Sequence, residues 1–298
     1  SIIIVAFNSE DTIESCMDAV MKTVKGHSFE IIISDNSEND ETENVVSKVF
    51  SKNEKIIYIH NKENLGFSKG NNVAIKKAKG RYVLFLNPDT VVYEKTIDGM
   101  LDFMENNSTC GASTCFVELP NGKLDDSSHR GFPTPWRAFS HFSGLSRVFP
   151  KSKLFGGYNL SYLNTNETHE IESLAGSFMM VPYEVGEKLG WWDEDFFFYG
   201  EDLDFCYRIK NDGYKVYFVP EFKALHYKGI SSGIKSVSKD LTKASVETKR
   251  WATNHRFAAM EIFYDKHYKK KYPFLVTRLV LLGVTLKGYL RVLKHKLT

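Results

Sequence analysis

The segment Gly200-Glu201-Asp202-Leu203-Asp204 places three carboxylates within five residues, directly after the aromatic run from Trp191 to Tyr199. Carboxylates at the mouth of an aromatic pocket can supply a general base beside a sugar-sized site. The same residues also suit a helix N-terminus, where acids complement the macrodipole. Three other groups could join such chemistry. Asn87-Pro88-Asp89 follows an apolar run, and a carboxylate there can hold a hard divalent ion against a diphosphate. It is also an ordinary Pro-Asp turn. Asp35 can accept hydrogen bonds from a nucleobase, or form an Asx turn or a helix cap. His226 stands in Leu225-His226-Tyr227-Lys228-Gly229-Ile230-Ser231-Ser232, where an imidazole can complete a metal shell and the polar residues can hold phosphate oxygens.

These residues need elements to position them. Residues 1–6, 30–34, 55–60 and 82–86 are short β-branched or apolar runs that read as buried strands. Helical patterns lie between them at 10–24, 41–50 and about 68–78; in the first, Ile13, Met17, Val20 and Val24 share one face. This alternation predicts an α/β fold with a doubly wound, mostly parallel sheet, whose ligands bind at the carboxyl ends of strands. Asn8, Asp35 and Asp89 each fall just past such an end. The Gly-rich segment 64–72 precedes a helix and could bring backbone N–H groups to a phosphate, although it has neither P-loop nor dinucleotide spacing.

The second half is less regular. Residues 116–170 read as loops with short strands, 216–219 as a strand closed by Pro220, and 236–264 as helix, with Pro273 separating the tail. Four cysteines without metal spacing fit a reducing compartment, although Cys110 and Cys115 could pair. A short N-terminal lead, at minimum the initiator Met, is expected before Ser1.

The net charge of +2 conceals an asymmetry: residues 266–298 carry nine Lys/Arg and no acid, leaving 30 basic against 37 acidic side chains elsewhere. A basic, Leu/Val-rich tail suits an anionic surface. Arg278, Lys287 and Arg291 make a spanning helix costly. Lys287, Arg291 and Lys294 share a helical face with Arg278 opposite, so an interfacial helix and a helix docked on the body both remain open. The tail's cations alternate with Leu and Val rather than stacking aromatics, which argues against nucleic acid.

In order and wording, SIIIVAFNS (1–9), EIIISDNS (30–37), NLGFSKGNN (64–72), GRYVLFLNPD (80–89), GWWDEDFFFYGEDLDFCYR (190–208) and HYKGISS (226–232) resemble the family 2, GT-A-fold inverting glycosyltransferases, in particular their bacterial rhamnosyltransferase-like branch. The resemblance covers most of residues 1–232. It implies a GT-A domain over 1–232, divided into a nucleotide-sugar half (1–115) and an acceptor half (116–232), followed by a helical, membrane-associating extension (233–298). Ala6, Asn8 and Asp35 would line the base, and Gly66, Lys69 and Asn71 would close over the nucleotide. Asp89 would bind Mg2+ or Mn2+ in a DxD-type motif whose first position is Asn87, a departure that leaves Asn87 beside the nucleotide sugar rather than on the metal. Asp202 would be the general base, and His226 would lie at the metal. Trp192, Glu201, Asp204 and Gly176 would surround the acceptor.

The implied reaction moves a sugar, L-rhamnose from dTDP-L-rhamnose or a hexose from a UDP-sugar, to a hydroxyl of a cell-surface or lipid-linked glycan. It would take place on the cytoplasmic face of the membrane. A nucleotidyltransferase would need a basic Gly-rich loop after the first strand, where this chain has Ala6-Phe7-Asn8-Ser9-Glu10-Asp11. A non-catalytic sugar-binding module would need neither the metal carboxylate nor the base.

Overall fold

The computed structural model describes residues 1–51, 53–228 and 245–297, with side chains to 293. Gly229 to Ser232 and the first part of the helix expected from 236 lie outside the described residues, as does the Lys294 side chain.

The first half alternates as its hydrophobic runs require: β1 (Ile2–Ala6), α1 (Ile13–Thr23), β2 (Ile31–Asp35), α2 (Glu41–Phe50), β3 (Ile56–His60), α3 (Gly66–Ile75) and β4 (Tyr82–Leu86). β5 (Thr90–Val92), α4 (Thr96–Glu105) and β6 (Cys110–Glu118) follow. Next come α5 (Pro135–Phe142), α6 (Leu145–Val148), β7 (His169–Ile171), β8 (Phe178–Pro182), α7 (Tyr183–Leu189), α8 (Glu201–Asn211) and β9 (Lys215–His226). Two long helices, α9 (Val246–His267) and α10 (Phe274–Leu297), end the chain.

One sheet has the order β3-β2-β1-β4-β8-β6-β9-β5, with β7 also paired to β9. β3, β2, β1 and β4 are parallel. β8 joins antiparallel to β4, and β9 runs parallel to β6. Successive residues of the central strands enter opposite cores: Ile3, Ile32 and Phe85 on one face, Ile2, Ile4, Ile31, Ile33 and Leu84 on the other. That is why these strands read as continuous apolar runs rather than alternating ones. The chain leaves β1 for β2 and β3, then returns to place β4 on the other side of β1. This is a topological switch, with its crevice at the ends of β1 and β4.

Two expectations change. The 116–170 region holds the end of β6 and two short helices, α5 and α6, beside its loops; its Gly, Pro and Ser residues punctuate elements rather than replace them. Pro220 does not close the last strand: β9 continues to His226, and Pro220 sits where the β6–β9 register jumps from Cys115↔Val219 to Phe116↔Lys223. A proline lacks a ladder N–H and is tolerated at such a bulge. All four cysteines are buried and free.

α10 packs antiparallel on α9, where buried Gly288 lets the two helices approach beside Phe257. Tyr264 and Thr277 share a hydrogen bond of 3.2 Å across this contact. No helix among the described residues is long and apolar enough to cross a membrane.

Candidate active site

The strand ends open into a cavity of about 650 Å³. Phe7 and Asn8 leave β1, with Asn8 in the left-handed region at φ 48°. The Asn8 N–H donates to Ser37 Oγ at 2.8 Å. At the end of β2, Asn36 faces the cavity and its Nδ2 donates to the Gly66 carbonyl at 2.9 Å. Asp35 does not face it. Asp35 is fully buried, with Oδ1 accepting from Ser37 N (3.0 Å) and Ser37 Oγ (2.6 Å), and Oδ2 accepting from Tyr58. Asp35 therefore shapes the turn that presents Asn36 and Ser37.

α3 is tied to the aromatic run. Phe67 N–H donates to the Phe197 carbonyl at 2.8 Å and Ser68 Oγ to the Phe196 carbonyl at 2.7 Å. Gly66 is required at this junction: its φ is +78°, and a Cβ would meet the Phe197 oxygen at 2.5 Å. Gly66 and Gly176 line the cavity. Lys69 points to solvent, Asn71 is buried and donates back to the Phe67 carbonyl, and Trp192 packs in the core against Phe67 and Phe85. Ala6 is buried inside β1.

Asn87, Asp89 and His226 meet because β5 pairs with the end of β9, Thr90 opposite His226. His226 Nε2 lies 3.2 Å from Asp89 Oδ1, and Nδ1 lies 3.3 Å from Asp125 Oδ2. Asp125, which sequence reasoning missed, is fully buried and also pairs with Lys228. Desolvation opposes a charge on His226, but the carboxylates of Asp89 and Asp125 outweigh it and raise the imidazole to about 9. Burial opposes a charge on Asp125 as well, but His226 and Lys228 hold its carboxyl well below the usual range.

The acidic cluster is a helix start that lies at the cavity. It forms the first turn of α8, entered through left-handed Tyr199 and Gly200, and that turn lines the cavity. Its three members diverge, as adjacent positions on a helix must. Asp202 faces the cavity, with Oδ2 accepting from Arg130 Nη2 at 2.7 Å and Oδ1 from Leu203 N–H at 2.7 Å. Glu201 is buried with Oε2 unpartnered; desolvation, then the neighbouring Asp202 charge, push its carboxyl up to about 8. Asp204 turns away and does not line the cavity. It binds Arg208 Nε and His267 Nε2, each at 2.7 Å, fastening α8 to α9. Arg130 was also missed. Burial opposes its charge, but Asp202 more than offsets that. The run Asp125-Asp126-Ser127-Ser128-His129-Arg130 carries an Asx-turn signal, and nothing local says that it reaches Asp202 and His226.

Asp89 and His226 offer a hard oxygen and an imidazole nitrogen at one rim of the cavity, a donor set compatible with Mg2+ or Mn2+ completed by water and phosphate oxygens. The Asp125–His226 contact supplies the carboxylate that usually orients a ligating histidine. Among the described residues, one group of three potential ligands occurs elsewhere, Asp40, Glu43 and His60, and it does not line the cavity.

Known proteins share this chain's fold and family. The chain is 25% identical over 235 residues to the rhamnosyltransferase WbbL of Escherichia coli K12, covering 76% of this chain and 82% of that protein. It is 40% identical over 106 residues to the E. coli UDP-Glc:alpha-D-GlcNAc-diphosphoundecaprenol beta-1,3-glucosyltransferase WfaP, covering 35% of this chain and 41% of that one. The fold is that of GalNAc-T7, crystallised with UDP, GalNAc and Mn2+, at a TM-score of 0.58 and 17% identity over 90% of this chain and 57% of that one. The family description Glycosyl transferase family 2 matches residues 1–176, more than half of the 298, and the chain belongs to that family.

Proposed function

We propose that this family 2 glycosyltransferase transfers a sugar, with inversion, from a nucleoside diphosphate donor to a hydroxyl of a lipid-linked or growing glycan. The observation that carries this reading is one cavity holding Asp89 and His226 at the strand ends and the Asp202–Arg130 pair at the start of α8. The nucleotide lies over Phe7, Asn8 and Asn36, at the crevice beside β1. Asp89 and His226 would hold a divalent ion, which when bound would supply positive charge to the leaving diphosphate.

Asp202 removes the acceptor proton as the hydroxyl attacks the anomeric carbon. A carboxylate has about four lone-pair sites, so the contacts from Arg130 and Leu203 leave room for the acceptor hydroxyl. Glu201 beside it is buried, and desolvation with the Asp202 charge pushes its carboxyl up to about 8. Attack from the face opposite the leaving group needs no covalent intermediate.

The similarity to WbbL favours dTDP-L-rhamnose as donor, and the WfaP similarity makes UDP-glucose the rival. The surface fits a peripheral position on the cytoplasmic face of the membrane. On α10, Leu275, Leu279, Leu282, Leu286 and Leu290 form one stripe, each 55–73% exposed, beside exposed Arg278, Lys287 and Arg291. Titrating purified protein with a panel of nucleotide sugars, with release of nucleoside diphosphate as readout, tests the assignment. Release from none of them, with or without a glycan acceptor, would refute it.

A further inference from the structure

Between Asp125 and Arg130 the same loop is held by two histidines that the proposed reaction does not use. His129 is 2% exposed, and its Nε2 lies 2.7 Å from Nε2 of His169 at the start of β7, with the rings perpendicular. The outer nitrogens meet backbone carbonyls. His169 Nδ1 stands 2.7 Å from the Glu167 oxygen, and His129 hydrogen-bonds to the Asn159 backbone. A carbonyl only accepts, so the three contacts together require three ring N–H groups, whereas two neutral imidazoles carry two.

Burial, then His169, lowers the His129 imidazole to about 4, although the Asn159 bond opposes this. The carboxylates of the surrounding elements have other partners. Asp125 pairs with His226 and Lys228, Glu170 of β7 with Lys210 and Lys215, Glu172 with Arg137, and Asp202 with Arg130. Near neutrality the pair therefore holds two protons. Because His169 Nδ1 donates to Glu167, its Nε2 carries a lone pair, and His129 Nε2–H is the donor between the rings. One added proton would reverse that bond and complete the one to Asn159. The N–H···N contact survives in either state.

This contact sits one residue from Arg130. Phe218 of β9 packs against both rings, with centroids 4.8 and 5.4 Å away, and His169 is paired with Phe218 in the sheet. The Arg130 backbone exchanges bonds of 3.2 and 2.9 Å with Ser173. Its side chain is held by less: Nη2 reaches Asp202 at 2.7 Å and the Leu174 carbonyl at 3.5 Å, while buried Nε has no partner among the described residues. The direction of the guanidinium is thus set from its backbone rather than by a cage of acceptors.

We propose that His129 and His169 are positioning residues for the transfer reaction: their N–H···N bond fixes the backbone at 129–130 to the sheet, so that Arg130 presents the Asp202 carboxylate to the acceptor. This rests on the reading of Asp202 as the base.

His169→Phe keeps an aromatic ring and removes the acceptor for His129. It should lower turnover by about ten-fold or more, while nucleoside diphosphate affinity and donor KM stay within about two-fold. His169→Gln sets an amide oxygen near the place of Nε2 and should restore turnover to within about three-fold of wild type. A second readout needs no donor sugar. The Arg130 side-chain N–H resonances, slowed in exchange by the bond to Asp202, should appear in wild type and in His169→Gln and vanish in His169→Phe. Thermal melting identifies the folded variants; His169 is partly exposed, and His169→Leu serves if His169→Phe does not fold. Persistence of the Arg130 signal in the folded variant overturns the proposal. So does unchanged turnover, a nucleotide affinity that falls in step with turnover, or a His169→Gln as impaired as His169→Phe, since a merely structural histidine would behave in those ways. If the nucleotide-sugar panel finds no donor, the resonance comparison still decides, so the two readings fail separately.

Discussion

Arg130 Nη2 donates to Asp202 Oδ2 at 2.7 Å, with both side chains less than 15% exposed, joining the loop before α5 to the first turn of α8. The pair fixes the direction of a carboxylate that would otherwise swing at a helix start. Asp202→Asn should preserve nucleotide binding and lower turnover by ~10²-fold or more, since only proton removal is lost. Near-normal turnover would remove Asp202 from the role of base.

Arg130→Leu leaves the Asp202 charge largely buried without its partner. A stability loss of about 3 kcal/mol is expected, from chemical denaturation, for breaking such a pair from one side. In the double variant Arg130→Leu/Asp202→Leu, much of that loss should return, because the orphaned charge is gone. Equal destabilisation of the single and double variants would show that packing rather than charge is at stake.

Glu201 supplies a pH signature. Its folded carboxyl is raised from 4.5 to about 8, so between those values the unfolded chain releases a proton that the folded chain keeps. Wild-type stability therefore falls as pH rises through that window. Glu201→Gln should gain on the wild type by on the order of 3 to 4 kcal/mol between pH 5 and 8, then level off. Parallel stability curves for the two proteins would place Glu201 in a solvated setting.

Asp89→Ala should weaken nucleoside diphosphate binding, and excess chelator should abolish transfer until Mg2+ or Mn2+ is restored. Full activity in chelator would leave Lys228 and the loop residues to stabilise the diphosphate. Gly66→Ala should damage folding and nucleotide binding together, since its Cβ would meet the Phe197 carbonyl oxygen at 2.5 Å in a left-handed backbone.

The membrane reading is best tested without truncation. Removing residues 266–298 would also remove buried Tyr268 and the His267–Asp204 contact. Instead, Leu275, Leu279, Leu282 and Leu286 to Ser should abolish sedimentation with phosphatidylglycerol vesicles while leaving transfer to a water-soluble acceptor intact. Salt should weaken wild-type binding, each basic residue near the surface contributing about 1 kcal/mol. Failure of the wild type to bind at low salt would make the stripe a contact between copies.

The sequence by itself determined the parallel strands and their helices, because a strand buried on both faces must be apolar along its length, as Ile2–Ala6 and Ile31–Asp35 nearly are. It also determined which polar residues end those strands, and hence Asn8, Asn87 and Asp89 at the cavity. It could not say which of Glu201, Asp202 and Asp204 faces the cavity, because neighbours on a helix point about 100° apart and only the packing of α8 against β6, β9 and α9 sets the zero of that rotation. Nor could it show that Asp35 faces inward and Asn36 outward: that followed from Tyr58 on β3 capturing the carboxylate. Asp125 and Arg130 reach His226 and Asp202 across 101 and 72 residues of chain. Contacts of that separation leave no periodic trace in a sequence. They exist only once β6, β9 and α8 have closed around one cavity.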